Sequence, residues 1–99
     1  MPMAMGRGES KAGRRRERSR IFYDILQSII DQESGDGAKI TRVQNEVNLP
    51  SDRLREHLRE MGELGLVRLE RGLASTEKGR AYVREYERIT HVLKQFGLL

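Results

Sequence analysis

The sequence predicts a mainly α fold with one small β-hairpin, an α+β domain that ends in a long helix. Two observations carry that class. Apolar residues return every three or four positions in the stretches 21–30, 43–47, 54–61 and 82–96, the spacing that lines one face of a helix. Before the last of these, "VRLE" (67–70) alternates in the manner of a half-buried strand, "RG" (71–72) suits a tight turn, and "LAS" (73–75) supplies a returning strand.

The first helix is expected from about Arg15 to Gln32, where Ile21, Phe22, Ile25, Leu26, Ile29 and Ile30 recur on one broad face. "ESGDGA" (33–38) follows as a loop, with Gly35 and Gly37 as its flexible points. Thr41 and Gln44 have the spacing of a capping box, so a second helix is expected to start at Arg42, with Val43 and Val47 on its inner face. Asn48 suits a left-handed stop. Pro50 is tolerated only near a helix start, which places a third helix from there to about Leu64, with Ser51 as its cap or in its first turn. Leu54, Leu58 and Met61 form its buried stripe, and Gly65 is the expected left-handed residue beyond its end. Thr76 then caps a last helix from Glu77 to about Phe96, acidic at its start and carrying Lys94 near its end, as the helix dipole favours.

Ninety-nine residues suffice for one small domain. The reading is a basic, flexible arm over 1–14, a folded domain over 15–76 and a C-terminal helical segment over 77–99. Having no cysteine excludes disulfides, thiolate metal sites and cysteine nucleophiles together. No apolar run approaches the roughly 18 residues that span a bilayer, and the N-terminus is rich in Gly and Arg where a signal peptide needs an apolar segment. A cytoplasmic location, with no membrane partner, is expected. Charge is unevenly placed. Of 19 bases and 15 acids, seven bases (Arg7, Lys11, Arg14, Arg15, Arg16, Arg18, Arg20) but only Glu9 and Glu17 fall within residues 1–20, leaving 12 bases against 13 acids elsewhere. The basic excess belongs to the arm, and the body is near neutral.

Helix, short helix, tight turn, helix, hairpin, helix is the order of a winged helix-turn-helix domain, with residues 67–75 as the wing. "LPSDRLREHLREMGELGLV" and then "STEKGR" resemble the recognition helix, the approach to the wing and the start of the last helix in prokaryotic winged-helix regulators. The likeness extends over about residues 18–96 and is greatest to small archaeal winged-helix proteins whose C-terminal helix forms an antiparallel coiled-coil dimer. The residue before that Thr is commonly a large aliphatic in such proteins and here is Ser75, which leaves the extent of the second wing strand open.

The resemblance implies a third helix that reads DNA, and its outer face bears on this. Opposite the apolar stripe lie Asp52, Glu56, Arg59 and Glu63, flanked by Arg55 on one side and Arg53 and Glu60 on the other. Ser51, Asp52, Arg53, Arg55, Glu56 and Arg59 are the expected DNA-facing residues. Arginine suits guanine and a carboxylate suits the cytosine amine, so the mixture permits reading but supplies little affinity. Arg59 and Glu63 equally suit a surface pair worth roughly 0.2–0.5 kcal/mol. Phosphate contacts are expected from Thr41 and Arg42 at the second helix and from Arg68 and Arg71 on the wing. Arg14, Arg15, Arg16, Arg18 and Arg20 are the arm's cations, for phosphate or an adjacent minor groove, against the plainer reading of a solubilising tail.

Tyr82, Tyr86, Ile89, Leu93 and Phe96 step by 4, 3, 4, 3 along the last helix and make a narrow seam of the coiled-coil kind. It either joins two copies, the favoured reading, or closes the monomer's own core against the first helix. His57 and His91 lie in no metal-ligand or nucleophile-base spacing and are expected at the surface. No glycine loop for phosphate is present, and neither catalysis, cofactor nor small-molecule ligand is expected. The sequence thus points to a homodimeric, nucleoid-associated protein that binds double-stranded DNA, a transcriptional regulator or a chromatin protein. A winged helix that docks on another protein is the alternative, supported by the near-neutral body.

Overall fold

The computed structural model describes residues 16–99. It is mainly helical, with one two-stranded antiparallel sheet. The elements run α1 (Arg18–Glu33), α2 (Ile40–Val47), α3 (Ser51–Glu63), β1 (Val67–Arg68), β2 (Ala74–Ser75) and α4 (Glu77–Gln95).

Helix α1 is the centre of the core because its apolar face is broad. Ile25, Leu26 and Ile29 are fully buried, Ile21 and Phe22 nearly so, and the helix packs against α2, α4 and β2. It begins three residues later than the periodicity suggests. Glu17 ahead of it is extended, and Arg16 folds back to donate to Asp24 at 2.8 Å and to the Val47 carbonyl at 2.7 Å. Those contacts hold the chain outside the helix.

The second helix corrects the capping-box expectation. It starts at Ile40 with Lys39 as its cap residue, so Thr41 already lies in the first turn, and no side chain among the described residues caps it. The cause is tertiary. Gln32, buried at the end of α1, accepts from the Lys39 amide at 2.8 Å, and Ala38 pairs with Leu73 beyond the wing turn. These two contacts fix the chain just before α2. Its end is as expected, with Asn48 at φ 58°.

Pro50 is the cap residue of α3, which puts Ser51 in the first turn. At the other end the Leu66 amide reaches back to the Met61 carbonyl at 2.9 Å around Gly65 at φ 80°, the hydrogen-bond pattern by which a glycine closes a helix. Leu54, Leu58 and Met61 are buried as the stripe required.

In the hairpin Val67 pairs with Ser75 and Arg68 with Ala74. Arg71 at φ 60° and Gly72 at φ 103° turn the chain, both in the left-handed region. Ser75 is buried, and its polarity is met by Glu33. That carboxylate accepts from the Ser75 amide at 2.9 Å and from its hydroxyl at 2.7 Å, while Arg80 donates to the same hydroxyl at 2.9 Å. A serine therefore serves here, and β2 is held by α1 as much as by β1.

Thr76 caps α4 by accepting from the Gly79 amide at 3.0 Å, and donates to the Gly65 carbonyl at 2.6 Å. Lys78 donates to the Leu64 carbonyl at 2.6 Å. The start of α4 thus satisfies carbonyls left free at the end of α3, so the two helices share a junction.

Candidate nucleic-acid interface

Three elements converge on one side of the molecule: α3, the first turn of α2, and the wing. Ser51, Asp52, Arg53, Arg55, Glu56 and Arg59 are all exposed on α3, because the buried stripe of Leu54, Leu58 and Met61 turns them outward. Thr41 and Arg42 are exposed at the start of α2, and Arg68 and Arg71 on the wing. One groove is lined by Thr41, Arg55, Arg59 and Leu69, and an adjoining hollow by Arg59, Glu63, Arg68 and Glu70. Residues from all three elements are thereby brought within reach of one ligand.

The charges on this side are mixed. Arg59 lies 3.5 Å from Glu63, and Arg42 lies 3.8 Å from Asp36, each pair open to solvent and worth little. Arg53, Arg55, Arg68 and Arg71 form no ion pair among the described residues. Glu70 shares a hollow with Arg68 and Arg71 and moderates the wing's positive field.

The arm's cations divide at the boundary of the described residues. Arg14 and Arg15 lie outside them. Arg16, Arg18 and Arg20 are tied to the body. Arg16 and Arg20 both hold Asp24, at 2.8 and 3.0 Å, and Arg18 sits 4.9 Å over the Phe22 ring and 3.5 Å from Glu60. Their guanidinium groups have partners on the body, which the sequence reading of these five as the arm's cations did not include.

The seam of α4 also divides. Tyr82 packs against the core and donates to the Ser19 carbonyl at 2.5 Å, and Tyr86 stacks on Tyr23 with ring centroids 4.5 Å apart. This half closes the monomer, as the alternative reading had it. Tyr23 in turn donates to Glu87 at 2.7 Å. Burial first, then the hydrogen bond to Glu87, pushes the Tyr23 hydroxyl up to about 12. Beyond this point Ile89 is 49% exposed and Phe96 75% exposed, with Leu93 half-buried, so the rear half of the seam faces solvent.

His57 is a correction. It is half-buried, its ring set edge-on to Phe22 with centroids 5.9 Å apart, and neither ring nitrogen has a hydrogen-bond partner among the described residues. It packs on α1, away from the exposed face of α3. Among the described residues, no cluster of three or more His, Asp or Glu is placed to hold a metal ion.

A family model described as winged helix-turn-helix matches residues 15–94. The chain belongs to this family. No match is found among curated proteins or solved structures. Winged helix-turn-helix domains generally bind double-stranded DNA, with the second helix of the helix-turn-helix in the major groove. In this winged helix that helix is α3, and Ser51, Asp52, Arg53, Arg55, Glu56 and Arg59 are exposed on it. Sequence reasoning missed Lys39, exposed at the cap of α2, and the apolar Ile40, Leu69 and Leu73 beside α3. Lys39 was not legible as a cap residue, because the contact with Gln32 sets the start of α2. The apolar three become neighbours only through the pairing of Ala38 with Leu73.

Proposed function

We propose that this winged helix is a non-catalytic, homodimeric protein of the nucleoid that binds double-stranded DNA as a transcriptional regulator or chromatin component. The observation that carries the reading is the exposed face of α3, with Arg55, which forms no ion pair among the described residues, between the start of α2 and the wing. In this reading α3 enters the major groove, where Arg55 and Arg59 reach base edges, while Thr41, Arg42, Arg68 and Arg71 contact phosphates. Arg14 and Arg15 add cations ahead of the body. The copies join through the exposed rear of α4, in the antiparallel manner of the small archaeal winged-helix proteins that the sequence resembles.

Gel-shift titrations over a range of salt test this reading. Binding should weaken steeply as salt rises, because counterion release dominates affinity. Arg55→Ala or Arg59→Ala should cost about 1–3 kcal/mol on a preferred site and less on random duplex, whereas Arg68→Ala or Arg71→Ala should weaken all duplexes alike. Variants at Arg55 and Arg59 that bind every duplex as the parent does would remove α3 from the interface. A protein partner for α3 would then become the better reading.

A further inference from the structure

Between α3, the first turn of α2 and the wing lies an open groove of about 510 Å³, within the range of roughly 300–1,000 Å³ typical of small-molecule sites. Its floor is apolar, made by Ile40, Leu58, Leu69 and Leu73, and its rim carries Arg55 and Arg59. Among the described residues, no carboxylate lines it. The two neighbouring hollows on the same side differ in this respect, since one includes Glu63 and Glu70 and the other Glu70. Leu69 is 44% exposed, an apolar side chain left open beside two cations. Arg59 leans on Glu63 at 3.5 Å, while Arg55 forms no ion pair among the described residues.

We propose that this groove binds a small organic carboxylate with an apolar body, its chain on the leucine floor and its carboxylate on Arg55. A guanidinium holds a carboxylate through two parallel hydrogen bonds, and the floor rewards carbon that a bare anion lacks. A phosphate would use the rim alone, and a neutral hydrocarbon the floor alone. Only an amphipathic anion uses both. Because Arg55 also belongs to the proposed DNA face, a bound carboxylate would neutralise it, occupy the space beside Arg59 and weaken the hold on the duplex. That consequence rests on the DNA reading, whereas binding itself does not.

Amide-resolved NMR titration of the full chain tests it, with octanoate as the probe and octan-1-ol and acetate as controls. Octanoate should give saturable shifts centred on Ala38, Ile40, Leu69 and Leu73. Octanol should bind at least about tenfold more weakly, since it lacks the paired charge-assisted hydrogen bonds to Arg55, and acetate should leave the amides unmoved. Arg55→Gln should bring octanoate down to the level of octanol, and Leu69→Ser should weaken both. Absent or scattered shifts, octanol binding as well as octanoate, or an Arg55→Gln variant with unchanged preference would each overturn the proposal. So would groove amides that move with protein concentration alone, which would give the groove to a second copy. In a gel shift, octanoate should raise the apparent Kd for duplex. A protein that binds octanoate and no duplex sinks the DNA reading and leaves this site standing. One that binds duplex and no octanoate does the reverse.

Discussion

At Gly79 a methyl group would stand 2.2 Å from the Leu66 carbonyl oxygen and 2.9 Å from Cδ2 of Leu26. The first contact is with backbone, which cannot yield without moving the end of α3 or the start of α4. Gly79→Ala should therefore destabilise the fold by about 1–3 kcal/mol or more, despite alanine's better helix propensity, because overpacking outweighs it. Gly62 offers the comparison within the same fold. A methyl there meets Cδ1 of Leu69 at 3.2 Å, the tip of a partly exposed side chain that can turn aside. Gly62→Ala should change stability by less than about 1 kcal/mol, with the sign set by helix propensity. Urea denaturation of the two variants checks both. Equal midpoints would mean that α4 does not approach Leu66 as closely as described.

Where one element meets another, the sequence is legible to different depths. The apolar face of α1, the Leu54, Leu58 and Met61 stripe, the Asn48 and Gly65 stops and the Thr76 cap all follow from local pattern, and each stands where the residues alone place it. The start of α2 does not, because Thr41 and Gln44 satisfy a local rule while the Lys39 amide is taken by Gln32 from another helix. The engaged state of Arg16 and Arg18 was hidden for the same reason, their partners Val47 and Glu60 being distant in sequence. Of the candidate interface, the exposure of the α3 face was legible from periodicity, and the apolar groove beside it was not. The contact of α1 with α4 carries a testable pH dependence. Tyr23 is protonated when it donates to Glu87, and its pKa of about 12 lies above the ordinary value of 10.0. Below pH 10 its contribution is fully present. Between about 10 and 12 the unfolded chain loses this proton while the folded one keeps it, so stability falls as pH rises. Tyr23→Phe should flatten that decline, as measured by denaturation at a series of alkaline pH values. An unchanged decline would place its origin elsewhere, with Tyr82, whose pKa burial also raises, as the next residue to replace.

At the scale of the whole molecule, the N-terminal cations and the C-terminal apolar residues lie at opposite ends of the sequence and ask separate questions. Deleting residues 1–15 removes Arg7, Lys11, Arg14 and Arg15 and spares Arg16, which belongs to the body. That deletion should weaken binding to every duplex and flatten its salt dependence, while folding is kept. An unchanged salt slope would reduce the arm to a solubilising tail. The C-terminal question is assembly. Among the described residues, α4 buries Gly79 and Val83, near its start. Further on, Ile89, Val92 and Phe96 are exposed, followed by Leu98 and Leu99 at 69% and 67%. Exposed apolar residues at this helical spacing suit the proposed interface, and in a symmetric pair each would be buried in both copies. Replacing Ile89 and Leu93 with glutamate should therefore act on the dimer far more than on the monomer. In the monomer Ile89 already faces water and Leu93 is only half-buried, whereas in the dimer the unpaired buried charges would cost several kcal/mol, comparable with the whole association energy. Light scattering should give twice the chain mass for the parent at tens of micromolar and a single chain mass for the double variant. The parent's melting temperature should rise with concentration and the variant's should not, because association stabilises by mass action. A parent that scatters as one chain under these conditions would sink the assignment of α4 to a homodimer, and its exposed end would then need a different partner.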